Sequence, residues 1–141
     1  MLYELIYYSI ASPGLKPGDI ADILEVAHKN NPENNLTGCL LYHNDAFLQI
    51  LEGEKEIIES LYVKIEQDKR HYNVKRIYND YKEERLFTNW RMAFFDLNND
   101  DTLDTGKLIY RKAFTEISNQ TVHSTVATQL FWQISNQLLN D

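Results

Sequence analysis

The run LTGCLLYHNDAFLQILEGE, Leu36 to Glu54, describes two short apolar strands joined by a tight turn at His43-Asn44-Asp45. The turn residues tolerate unusual backbone angles, and the flanks are rich in strand formers. The second strand, Ala46 to Glu52, contains one misfit, the primary amide Gln49. Alternate strand residues share a face, so Phe47, Gln49 and Leu51 point the same way. A strand this apolar is expected to be buried on both faces, and Gln49 with it. A buried amide needs partners for two donors and an acceptor.

Leu2 to Ser9 reads as a first strand, with Tyr3, Leu5 and Tyr7 on one face, and Ala11-Ser-Pro-Gly14 ends it. Pro17 then opens a helix whose stripe is Ile20, Ile23, Leu24 and Ala27, and Pro32 closes it. Asn31 falls on that stripe, as an inward polar group or as a helix end bonding its own last turn. After Gly53 the pattern predicts a second helix, Lys55 to Asp68, with Ile57, Ile58, Leu61, Tyr62 and Ile65 on its apolar face. Asp68 to His71 reads as a polar exit, Val74 to Tyr81 as a strand, Lys82 to Arg85 as a solvated turn, and Arg91 to Asp96 as a last strand. Two strand–helix–strand units in succession imply an α+β, ferredoxin-like sheet with both helices on one face and the first and third strands adjacent. Two further helices, about Thr102 to Ile117 and Ser124 to Leu139, are expected to cover the other face. The domain expectation is therefore a unit over 1–97 and a helical extension over 98–141 packed on it.

The 141 residues suit one domain with a real core. A net charge of −7 argues against nucleic acid or an anionic membrane as partner, since both demand clustered cations. The lone Cys39 excludes an internal disulfide, and with a beginning that carries no basic leader the chain reads as cytoplasmic. The histidines lack metal-site spacing, and Asp96-x-Asn98-x-Asp100 only imitates the start of a calcium loop, so no metal is expected. Phosphate-binding glycine loops and glycine-framed nucleophiles are absent from the sequence. What remains is a set of polar or redox-capable groups aimed at a core: Tyr7, Asn31, Gln49 and the pair Trp90 and Met92. Each alone is commonly structural. Together, with Tyr7 and Gln49 on adjacent strands, they describe a polar patch under two helices that suits a flat aromatic ligand.

In order along the chain, Leu5-Ile-Tyr7, Asn30-Asn31, Leu36-Thr-Gly38, Phe47-Leu-Gln49-Ile-Leu-Glu-Gly53, Asp68-Lys-Arg-His71 and Trp90-Arg-Met92 resemble the BLUF domain, a blue-light sensor that uses flavin. The resemblance covers about Leu2 to Leu97, and the trailing helices look like those of the short, single-domain members, the PixD type. It implies a noncovalent FAD, with FMN as the alternative, between the two helices and the sheet. It implies that Asn31 bonds the polar edge of the flavin ring and that Gln49 bridges Tyr7 and the ring. Asn30, Lys64, Ile65, Asp68, Arg70 and His71 occupy positions of the wider flavin surround. Light would drive electron and proton transfer from Tyr7 through Gln49, and Trp90 and Met92 would carry the change outward. The implied role is a photoreceptor, not an enzyme, acting on a downstream signalling protein and forming homo-oligomers. The competing readings are a small enzyme, flavin-dependent or of acylphosphatase type, and a non-photoactive interaction module. The first strand is not followed by the arginine-bearing phosphate loop such a hydrolase needs, and no nicotinamide site is legible for a reductase.

Overall fold

The computed structural model describes residues 2–16, 34–43, 45–85 and 93–96, with single positions at 19, 22, 130, 133, 134 and 137. Its elements are β1 (Leu2–Ala11), β2 (Thr37–His43), β3 (Ala46–Gly53), α1 (Lys55–Gln67), β4 (His71–Lys82) and β5 (Ala93–Asp96). The expected helix between Pro17 and Asn31, the C-terminal helices, Asn30, Asn31, Trp90 and Met92 lie outside the described residues.

The five strands form one sheet in the order β4-β1-β3-β2-β5. The β1–β3, β1–β4 and β2–β3 pairs are antiparallel, which is the ferredoxin-like arrangement, and β5 is added in parallel on β2. The hairpin turns where its residues allow: His43 pairs with Ala46, and Asp45 takes a positive φ of 61°, which a short polar side chain tolerates. Close packing of β2 on β3 depends on Gly38, where an added Cβ would lie 2.0 Å from the Ile50 carbonyl oxygen.

Every residue of β3 is buried, as expected of a central strand flanked by β1 and β2. On one face Tyr3, Leu5, Tyr7, Leu40, Phe47 and Leu51 pack with Ile58 and Tyr62 of α1 in a single cluster. On the opposite face Ile6, Leu41, Leu48 and Ile50 are fully buried. The helix divides its labour between two rows of four-residue spacing. Ile58 and Tyr62 enter the core, whereas Ile57, Leu61 and Ile65 sit beside it, half-buried.

Three boundaries differ from the sequence reading. β1 runs to Ala11 rather than Ser9, because the Ala11 N–H donates to the Asp45 carbonyl at 2.7 Å and Ala11 pairs with His71. β4 begins at His71 rather than Val74, so the tripeptide His71-Tyr-Asn73 is strand, not exit; an edge strand open to solvent accepts polar residues that carry no apolar signature. Lys82 belongs to β4 and is buried, not part of a solvated turn; it pairs with the carboxylates of Glu4 and Glu52.

Candidate functional site

Between the helix-side face of the sheet and α1 lies a cavity of about 540 Å³. Tyr7, Leu40, Phe47 and Gln49 form its floor, and Ile57, Leu61 and Ile65 form its helical wall. Lys64, Asp68, Arg70 and His71 close one side. The volume falls within the range of sites that hold a drug-sized ring system.

Tyr7 and Gln49 are cross-strand partners in the β1–β3 register. Directly opposed residues share a face at close range, and the Tyr7 hydroxyl donates to Gln49 Oε1 at 2.5 Å. Gln49 is 7% exposed and Tyr7 4%. Burial holds the Tyr7 phenol well above the usual tyrosine range, and the negative charge of Asp68 pushes the same way. The phenol therefore keeps its proton in the resting site and can lose it only along the bond to Gln49. The amide has two rotameric states of comparable chemistry: its carbonyl can accept from the phenol, as here, or its NH2 can donate to the phenol oxygen.

The side formed by Asp68 to His71 is held from both ends. Arg70 wraps Asp68, its Nε donating to the two carboxylate oxygens at 2.9 and 3.0 Å and its NH2 nitrogen to Oδ2 at 2.5 Å. This bond, more than any other influence, holds the Asp68 carboxyl below the usual range. The Ser12 N–H donates to the Arg70 carbonyl at 2.9 Å, tying the end of β1 to the start of β4. His71 Nε2 lies 2.5 Å from the Ile65 carbonyl, so that nitrogen carries a hydrogen. Nδ1 meets the Ser9 hydroxyl at 2.7 Å.

Of the residues expected from sequence, Tyr7, Gln49, Lys64, Ile65, Asp68, Arg70 and His71 thus converge on one cavity. Asn30, Asn31, Trp90 and Met92 lie outside the described residues. Sequence reasoning missed Ser9, although its place two residues after Tyr7 on a buried strand marks it as an inward hydroxyl. It also read Tyr62 as core filler only. The Tyr62 ring lies 5.9 Å from that of Tyr7, and its other side carries the Arg76 guanidinium at 4.7 Å. Arg76 is fixed in turn by Glu59, at 2.6 and 2.7 Å.

Residues 2–93 match the family model described as BLUF, sensors of blue-light using FAD. The blue light- and temperature-regulated antirepressor BluF of Escherichia coli (strain K12) is 31% identical over 131 residues, which are 93% of this chain and 32% of that protein. The chain therefore spans about a third of that relative's length. The structure of Klebsiella pneumoniae BlrP1 with FMN and cyclic diGMP superposes with a TM-score of 0.74 at 32% identity, over 100% of this chain and 35% of that one. The photo-activated state of BlsA gives 0.69 at 29% identity, over 100% of this chain and 96% of that one.

Proposed function

Because this chain belongs to the BLUF family, sensors of blue-light using FAD, we propose that the cavity between β1, β3 and α1 is its flavin site and that Tyr7 and Gln49 are its photoactive pair. The observation that carries the assignment is the 2.5 Å bond from the Tyr7 hydroxyl to Gln49 Oε1 in the floor of a cavity of about 540 Å³. The lining suits the group. Leu40, Phe47, Ile57 and Leu61 offer apolar surface to a flat ring, Gln49 offers a rotatable donor and acceptor, and Lys64 and Arg70 offer cations toward a phosphate. Asn30 and Asn31 complete the surround in this reading, Asn31 at the polar edge of the ring. FAD is the family's cofactor, and FMN, present in the BlrP1 structure, is the alternative.

When bound, the flavin supplies a ring that absorbs blue light and accepts one electron. Tyr7 gives up an electron and a proton, and Gln49 takes the proton at Oε1 along the existing bond. Return of both to Tyr7 leaves no net oxidation. Gln49 is left with its amide rearranged, and a different end of it faces the cavity. Burial makes the change persistent, since a bond broken where water cannot replace it is costly. Trp90 and Met92 relay the change in this reading.

The chain acts on a downstream signalling protein and assembles with copies of itself, a reading supported by the antirepressor name of its E. coli relative. Residues 1–97 form the sensing unit, residues 98–141 its extension, and the unit itself performs no catalysis, as in the single-domain PixD type. Among the described residues no helix is long and apolar enough to cross a membrane, and the buried thiol of Cys39 supports a cytoplasmic setting.

The test is an absorption spectrum of the purified, flavin-loaded protein before and after blue light. The expected result is a small red shift that reverses in the dark. Tyr7→Phe and Gln49→Ala should keep the flavin and lose the shift. A Tyr7→Phe protein with a normal, reversible shift overturns the assignment.

A further inference from the structure

The face of the sheet away from the cavity holds a charge cluster that the photochemistry does not use. Glu4 and Glu52 are cross-strand partners on β1 and β3, exposed by 1% and 0%. Lys82, the last residue of β4, bridges them, with Nζ 3.2 Å from Glu4 Oε1 and in contact with Glu52 Oε2. Thr37 donates its hydroxyl to Glu52 Oε1 at 2.9 Å. Three residues beyond Lys82, Arg85 reaches back: NH1 donates to Thr37 Oγ1 at 2.8 Å and to the Glu52 carbonyl at 3.1 Å, and NH2 to the Asn35 carbonyl at 2.8 Å.

Stability alone does not account for this cluster. Buried ion pairs are commonly replaceable by apolar residues without loss, and their best-attested use is to fix one register or position. The position fixed here is informative. Glu4 and Glu52 repeat, on the opposite face, the pairing of Tyr7 with Gln49, three residues and roughly 10 Å along the same two strands. A shift of β3 against β1 at the first pair is therefore felt at the second. Arg85 grips that end of β3 and the start of β2 together. β5 pairs with β2, at the opposite sheet edge from β4. The chain between Lys82 and Ala93 must span the three strands between, about 19 Å at ordinary strand spacing.

Resting on the photosensory reading above, we propose that Arg85 is a positioning residue of signal output: its fork, seated on the Glu4–Lys82–Glu52 cluster, couples the strand that carries Gln49 to the strand pair β2–β5. The guanidinium is suited to this because its planar donors reach three fixed acceptors at once, which an ammonium does not.

Two measurements test it, on full-length Arg85→Met and on Arg85→Lys, which keeps the charge and lifts any doubt about folding. In the flavin-free protein, amide hydrogen exchange at residues 37–39 and 93–96 should rise at least threefold in both variants, while residues 46–50 stay at wild-type rates. In the flavin-loaded protein, wild type should show a light-dependent change in exchange at 93–96. Both variants should keep the reversible red shift, which reports the Tyr7–Gln49 end, and lose that change. Unaltered exchange without flavin, or a wild-type response at 93–96 in the variants, overturns the proposal. So does a wild-type protein that shifts its spectrum without any change at 93–96. A wild-type protein with no spectral shift overturns the photosensory reading, and the proposal with it.

Discussion

Replacing Lys82 by methionine should be among the most damaging single changes in this chain. The side chains of Lys82, Glu4 and Glu52 are 3%, 1% and 0% exposed. Methionine fills much of the lysine stem, so the packing loss is small. What remains is two carboxylates opposed across β1 and β3 with their shared cation gone. Removing one partner of a buried ion pair costs about 3–5 kcal/mol, because it strands the other charge. A domain of this kind is stable by about 5–15 kcal/mol, so the loss is a third or more of the total. At roughly 3 °C per kcal/mol for a chain of this size, the melting temperature should fall by about 10–15 °C. Urea denaturation of wild type and Lys82→Met, followed by aromatic fluorescence, measures the difference directly. Glu52→Gln added to Lys82→Met should recover about 1 kcal/mol or more, since it removes one of the stranded charges. A Lys82→Met protein within about 1 kcal/mol of wild type refutes the claim that this lysine neutralises a buried pair.

Two other outcomes follow from local geometry. Gly38→Ala should destabilise by about 1–3 kcal/mol in urea, the usual cost of overpacking, because its Cβ would meet the Ile50 carbonyl oxygen at 2.0 Å; an alanine variant of wild-type stability contradicts the close approach of β2 to β3. Asp68→Asn should cost about 0.5–1 kcal/mol at pH 7, a value discounted for the 28% and 36% exposure of the Asp68–Arg70 pair. The bond to Arg70 lowers the folded-state pKa of Asp68, so its contribution is present above the unfolded value of about 3.9 and is lost as pH falls through the folded value. The gap between wild type and Asp68→Asn, measured by urea denaturation, should accordingly narrow below about pH 4; a gap that widens in acid contradicts the assignment.

The hairpin was legible because period-two apolarity and a two-residue polar turn point to the same structure, and the neighbouring of β1 and β3 follows from element order alone. That put Tyr7 and Gln49 side by side. Their direct opposition was not legible, because no turn joins β1 to β3 to set the register; it is fixed by which face of each strand is buried. β4 was read three residues short because its edge position lets His71, Tyr72 and Asn73 stay polar, and the register shifts in its pairing with β1 leave no trace in composition. Lys82 was misread for a clearer reason. Lys-Glu-Glu-Arg looks like a solvated turn, and a buried lysine has no signature of its own. The usable signal lay in its partners: Glu4 and Glu52 each interrupt an apolar strand, and inward carboxylates require a cation. Ser9 illustrates the same point on the cavity side, where its alternation with Tyr7 foretells the contact with His71.

The central claim is that light changes the hydrogen bonding of the Gln49 side chain while Tyr7 ends unoxidised. The most direct measurement is a light-minus-dark infrared difference spectrum of the flavin-loaded protein, with and without carbon-13 at the glutamine side-chain carbonyls. The account predicts a glutamine carbonyl difference band that moves on labelling, decays with the dark reversal of the red shift, and vanishes in Gln49→Ala. A protein that shows the reversible red shift with no label-sensitive glutamine band contradicts it.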